Sequence, residues 1–280
     1  MKTLRLCFSP CPNDTFIFHG LVSGRVPLPG FALEPLLADV EVLNGLAAEG
    51  RADVCKVSVA AAAGLLDHWL LLRAGGALGR GVGPLLVARE PRTIQSLDRV
   101  RVAIPGARTT GNLLFGLVCK EAGIAAQRVE LVFDQVLPAV ARGQVDAGVV
   151  IHEGRFVYES MGLHCLADLG EWWESRRNLP LPLGLIAVRR DLGLDTARAV
   201  NRAIRASLES ARDEAPGLWD SVRGHAPEMD QSVIERHIAT FVTHFSLDVG
   251  AEGEEAVAAL LAEARPGVLP EPLFLPLDQA

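Results

Sequence analysis

The sequence lacks an excess of positive charge. It carries 34 acidic against 27 basic residues, a formal charge of −7. General nucleic-acid binding needs a basic face, so no nucleic-acid partner is expected, and only a local pocket for a small anion stays open. A long hydrophobic run is also missing. The longest apolar stretch, residues 57–66, is about half the ~20 residues that a membrane-crossing helix needs, so no membrane partner is expected. Cysteine is sparse and odd in number: five, at 7, 11, 55, 119 and 165. Cys7, Cys55 and Cys119 sit among apolar neighbours, which suits reduced core thiols better than a disulfide framework. Cys7 and Cys11 lack nearby Cys or His ligands for zinc, and none of the histidines forms a His-x-x-x-His pair. No metal site is expected from these spacings. No secretory signal is read either. After Met1-Lys2 the apolar stretch breaks at Ser9-Pro10, and the expected location is the cytoplasm. Lysine is nearly absent, with three residues at 2, 56 and 120 against 24 arginines. Composition bias accounts for this, yet it makes Lys56, inside an apolar run, conspicuous.

What is present is an ordinary globular composition, 49% apolar and 22% charged over 280 residues. That length suggests one large or two modest domains with a core that needs no cross-links. Short apolar runs alternate with helical spacing. Strands are expected at 4–8, 31–37, 54–59, 69–73 and 82–89. A helix is expected at 15–23 with Asn13 or Asp14 as cap, and another from Asp39, where Val40, Leu43, Leu46 and Ala47 keep helical spacing. From Val100 the pattern restarts: strand 100–104, loop 105–110, a helix to about Glu121, strand 129–133, helix 137–142 and strand 147–151. A proline-broken crossing, Asn178-Leu179-Pro180-Leu181-Pro182, leads to strand 185–188, a helical region from Asp195 and a proline-rich tail.

The halves echo each other. Gly50-Arg51-Ala52-Asp53 and Gly143-Gln144-Val145-Asp146 share a Gly-x-x-Asp spacing before a buried strand. Chance explains short echoes; the alternative is two α/β lobes of similar build with parallel sheets. The lobes are expected at 1–97 with 183–280, and at 98–182. Ligands of such sheets bind beyond the carboxyl ends of the strands, here in a crevice shared by the lobes.

Five places carry the candidate chemistry. The loop from Ser9 to Thr15, with Asn13 and Asp14, offers polar groups and helix-start N–H groups to an anion; a capped turn is the plain alternative. Thr109-Thr110-Gly111 stands at the matching place in the other half, and its two hydroxyls suit a carboxylate clamp. Lys56 and Ser58 end a core strand. A buried lysine is costly unpaired, so it either pairs with Asp14 or Asp53 or contacts an anion. Gly79-Arg80-Gly81-Val82-Gly83 looks like a nucleotide loop, but a strand follows it where a dinucleotide fingerprint requires a helix; it reads as a tight turn presenting Arg80. His152 directly follows the apolar run 147–151 and is followed by Glu153. A histidine at a strand end is placed to act as a general base near neutral pH, although a lone histidine is often structural. Cys11 with His152 is a weaker thiol-nucleophile option.

Together the segments Phe8-Ser9-Pro10-Cys11-Pro12-Asn13-Asp14-Thr15, Gly79-Arg80-Gly81-Val82-Gly83-Pro84, Ile151-His152-Glu153-Gly154-Arg155, Leu179-Pro180-Leu181-Pro182-Leu183-Gly184 and Phe245-Ser246-Leu247-Asp248 resemble the 1,4-dihydroxy-6-naphthoate synthases of the futalosine route to menaquinone. The resemblance implies a two-lobed α/β fold like the type 2 periplasmic solute-binding proteins, used as a cytoplasmic carbon–carbon lyase without metal or organic cofactor. It implies a small carboxylate substrate, cyclic dehypoxanthine futalosine, with His152 as base and Thr109, Thr110 and Ser58 binding the anion. Chorismate dehydratase, of the same fold and route, and a plain solute-binding protein are the alternatives.

Overall fold

Glycine and proline punctuate the apolar runs, and the segments between them become the strands of two sheets. A computed structural model describes residues 2–277. The chain divides into two compact units, Met1–Gly79 with Pro182–Ala280, and Arg80–Leu181. The first unit opens with β1 (Lys2–Phe8), α1 (Pro12–Val22), β2 (Phe31–Leu37), α2 (Val40–Ala48), β3 (Val54–Ser58), α3 (Val59–Ala62), β4 (Trp69–Leu71) and β5 (Ala77–Gly79). The second unit holds β6 (Leu85–Ala88), β7 (Arg101–Ile104), α4 (Thr110–Ala122), β8 (Gln127–Glu130), α5 (Phe133–Ala141), β9 (Ala147–Val150), α6 (Gly154–Val157), β10 (His164–Asp168) and α7 (Leu169–Arg177). The chain re-enters the first unit along β11 (Leu181–Arg189) and ends in α8 (Leu194–Arg212), α9 (Leu218–His225), α10 (Gln231–Phe241) and α11 (Gly250–Ala264).

In the first unit the strand order is β2-β1-β3-β11-β4, with β5 paired to β11. β1 runs parallel to β2 and β3, whereas β11 runs against β3 and β4. All five residues of β3 are buried, Lys56 and Ser58 among them. Leu4, Leu6, Phe18, Ile204 and Leu208 belong to one core cluster. Buried Ala197, Val200, Ile204, Leu208 and Ala211 recur at helical spacing along α8. There α1 meets α8 closely: a Cβ on Gly20 would stand 3.0 Å from Ser207 Oγ. That hydroxyl donates to Ile17 O (2.6 Å) and accepts from Leu21 N (3.2 Å). The contact fixes α1, and with it the loop between β1 and α1.

In the second unit the order is β10-β6-β9-β7-β8. β7 is parallel to β8 and β9, and β6 is antiparallel to β9 and β10. Val87, Ala103, Val136, Val140 and Val150 form its core.

Several expectations are corrected. The sheets are mixed instead of parallel, because β11 and β6 run against their neighbours. The first boundary lies at 79/80 and not at 97/98, because β6 hydrogen-bonds with β9 and β10. The second lies at 181/182, within the proline-broken segment. Helix α1 starts at Pro12 with Cys11 as its N-cap residue. Proline suits that first position, where its missing N–H costs nothing, and Asn13 and Asp14 therefore lie in the first turn instead of capping it. β8 ends at Glu130 and α5 begins at Phe133, earlier than the spacing predicts, and the Phe133 ring packs on His152 instead of joining the sheet. No helix among the described residues is long and apolar enough to cross a membrane.

Candidate active site

β7 and β9 are parallel neighbours, with Val102 opposite Ala147 and Ala103 opposite Gly148. Their carboxyl ends therefore lie at one edge of the second unit's sheet, and the two segments that follow them meet there. A Cβ on Gly111 would stand 3.3 Å from both Ile151 Cγ2 and Val149 Cγ1. The start of α4 is thus seated on the end of β9.

Thr109 caps α4. Its Oγ1 accepts from Asn112 N at 3.2 Å and donates to Gly106 O at 2.8 Å. Thr110 is the first helical residue, and both threonines are buried. The hydroxyl proton of Thr109 is committed to Gly106, so this side chain acts first as the cap that holds the helix start. In the first turn of this 13-residue helix Asn112 N and Leu113 N are taken by Thr109 Oγ1 and Thr109 O, and the positive end of the helix dipole favours an anion beside it.

His152 follows β9 in the left-handed region, at φ 55°. Non-glycine residues are uncommon in this region, and histidine is among those that adopt it most readily. Its ring packs on Phe133, centroids 5.0 Å apart and planes at 57°. Glu153 comes next, and its Oε2 is buried with no protein hydrogen-bond partner. Burial, with a smaller contribution from the charge of Asp134, pushes its carboxyl up to about 7, although its own backbone N–H opposes this.

The glycine loop is held to α7. Gly81 N donates to Glu174 Oε1 at 2.8 Å, and Arg80 Nη2 donates to Asn178 O at 3.3 Å. Arg155 Nη1 donates to Gly83 O, and the same guanidinium lies 3.4 Å from Asp168 Oδ2. Gly83 and Gly170 pack backbone to backbone; a Cβ on Gly83 would fall 2.2 Å from Gly170 N. The glycines here serve that contact and lead into β6, so no nucleotide cradle is built. Arg80 is exposed.

In the first unit, the sequence candidates Asn13, Asp14 and Lys56 form one buried network. Asp14 Oδ2 accepts from Ser9 N (3.2 Å) and Ser9 Oγ (2.9 Å). Its Oδ1 accepts from Asn13 Nδ2 (2.9 Å) and Lys56 Nζ (2.7 Å). Lys56 Nζ also donates to Gly75 O at 3.0 Å, so two of its three N–H donors are taken. Of the two readings of Lys56, ion pairing with Asp14 is what the fold displays. Ser58, at the end of the same strand, belongs to a separate pair: its N donates to Asn44 Oδ1 (2.9 Å) and its Oγ accepts from Asn44 Nδ2 (3.1 Å). Cys11 is buried at the N-cap of α1.

Three polar residues have surroundings that the sequence does not reveal. Asn44 is fully buried on α2 and holds Ser58. His237, fully buried on α10, places Nε2 3.1 Å from Asn13 Oδ1. Both are single polar residues on apolar helix faces, a pattern that signals their burial but not their partners. For Glu153 the sequence shows only that it adjoins His152, and the burial of its Oε2 depends on the fold. Among the described residues, no group of three or more His, Cys, Asp or Glu side chains is arranged to hold a metal ion.

Similar proteins place the chain in a family. A protein of Thermus thermophilus named 1,4-dihydroxy-6-naphthoate synthase is 52% identical over 98% of this chain and 100% of its own length. A protein of Streptomyces coelicolor with the same name is 43% identical over 98% of this chain and 99% of its own. A crystal structure of a protein from Archaeoglobus fulgidus superposes with a TM-score of 0.86 at 33% identity, covering 94% of this chain and 97% of that one. The alkanesulfonate-binding protein of Xanthomonas axonopodis pv. citri, solved with MOPS bound, gives a TM-score of 0.66 at 18% identity over 86% and 84% of the chains. That likeness shows the periplasmic-binding-protein fold alone. A family model described as menaquinone biosynthesis matches residues 4–266, and the chain belongs to that family.

Proposed function

We propose that this chain is a 1,4-dihydroxy-6-naphthoate synthase, a cytoplasmic carbon–carbon lyase that converts cyclic dehypoxanthine futalosine in menaquinone biosynthesis. In this reading His152 is the general base. The supporting observation is its left-handed turn at the end of β9, packed where α4 begins, in a chain of the menaquinone-biosynthesis family. The substrate carboxylate sits at the α4 N-terminus beside Thr110, held by the positive end of the helix dipole, while Thr109 keeps that turn in place. A helix start favours the negative charge, and the neutral imidazole of His152 removes a carbon-bound proton to begin the eliminations. Ser58, Asn13, Asp14, Lys56 and Arg80 are assigned to substrate binding or its support. For Asp14 and Lys56 the buried pairing favours support.

Purified protein incubated with cyclic dehypoxanthine futalosine, followed by naphthoate absorbance, tests the reading. Product formation without added metal or cofactor is the expected result. Turnover of chorismate instead would make the chain a dehydratase, and tight binding without product would make it a solute binder.

A further inference from the structure

Glu153 directly follows His152 after the end of β9. The chain folds back tightly after β9. A Cβ on Gly154 would fall 2.2 Å from Val150 Cγ1 and 3.3 Å from Leu137 Cδ1, so only glycine permits this approach. Beside this turn the Oε2 of Glu153 is buried without a protein partner. An ionised carboxylate is costly in such a place, whereas the protonated acid keeps an O–H that it can donate. Asp134 on α5 is the charge that acts on this carboxyl, and His152 and Arg155 flank it in the chain. Asp134 opposes ionisation, and Arg155 is directed to Gly83 O and Asp168.

We propose that Glu153 is a second catalytic residue of this site, the general acid that complements His152. The inference rests on the synthase reading above. His152 takes a proton from a substrate carbon, and the electron pair of that C–H bond becomes a new C=C bond. The bond to the leaving oxygen breaks with its electron pair, and that oxygen takes the proton of the Glu153 carboxyl. The imidazolium of His152 then returns a proton to the Glu153 carboxylate, directly or through water, so both groups are reset and no oxidant or reductant is consumed. Because one residue must be neutral base and the other neutral acid, the rate passes through a maximum in pH.

Two measurements test this on the full-length protein. In the first, protein labelled with carboxyl-13C glutamate is titrated by NMR, with E153Q assigning the resonance. Titration near pH 7 is expected, and titration in the ordinary range near 4.5 overturns the proposal. In the second, naphthoate formation is followed against pH. E153Q should lose turnover by about 10²–10⁴-fold, with a smaller change in KM, and should lose the fall in rate on the alkaline side. An active wild type with an equally active E153Q overturns the inference alone. A wild type that forms no naphthoate overturns the synthase reading and this inference with it. Should E153Q fail to fold, the wild-type profile decides, and the absence of an alkaline fall overturns the proposal.

Discussion

Lys56 Nζ lies 2.7 Å from Asp14 Oδ1, and both side chains are buried. The pair joins the strand β3 to the first turn of α1 and, through Gly75 O, to the segment before β5. Removing one member leaves a buried charge uncompensated, which costs about 3–5 kcal/mol. Lys56→Met should lose stability in that range by urea denaturation. Adding Asp14→Asn in the same chain should recover most of it, since amide and thioether need no counter-charge. A double variant as unstable as the sum of the singles would show that the two side chains act independently.

His152→Asn tests the base directly. Asparagine tolerates the left-handed backbone, so the turn survives while the base is removed. Turnover should drop by about 10²–10⁴-fold, and KM should move much less. Near-normal turnover, or parallel loss of binding and turnover, would assign His152 to positioning or support.

The two threonines should separate. Thr109→Val removes a cap and its bond to Gly106, at a cost of about 0.5–2 kcal/mol, and Thr109→Ser should restore the melting temperature. Thr110→Val should raise KM with little change in melting temperature. Wild-type KM in Thr110→Val would move the carboxylate elsewhere.

Glu153 makes stability depend on pH. Burial raises its carboxyl from the ordinary 4.5 to about 7 in the folded chain, so the folded state binds the proton more tightly than the unfolded one. Its contribution to stability is therefore complete below about pH 4.5 and is lost as pH rises through about 7. Thermal melts should show E153Q gaining on wild type across that interval, with a constant gap above it. Parallel curves would mean that the carboxyl ionises normally.

Gly83→Ala should be severe. The added methyl meets Gly170 N and Cα at 2.2 and 2.3 Å, backbone atoms that cannot rotate away, and overpacking of this kind costs roughly 1–3 kcal/mol. A wild-type melting temperature would show that the loop and α7 separate easily.

Local structure was legible where punctuation and periodicity agreed. β2 coincides with the expected 31–37, and Asp39 caps α2 by accepting from Glu41 N at 2.8 Å. The strand end before His152 was equally plain, because four buried apolar residues precede it. What stayed hidden depends on distant chain. β11 lies between β3 and β4, and nothing local in residues 181–189 says which strands it will separate. β6 belongs to the second unit for the same kind of reason, through its pairing with β9 and β10. The role of Lys56 split into two readings because its partner, Asp14, sits 42 positions away, and Asn44 and His237 declared themselves only through Ser58 and Asn13.

The discontinuity of the first unit bears on synthesis from the ribosome. Every strand of the second unit's sheet lies between Leu85 and Asp168, so that sheet has all its partners before β11 exists. The first unit has β3 and β4 early but must wait for β11 to join them. Its closing contacts come later still, where Leu71 pairs with Phe274 and Leu275 N donates to Leu71 O. Long-range strand pairing is slow to form, and unpaired strand edges invite aggregation. Pulse-labelled hydrogen exchange during refolding should protect β7 and β9 before β3 and β4, and simultaneous protection would show that the two sheets form as one cooperative event.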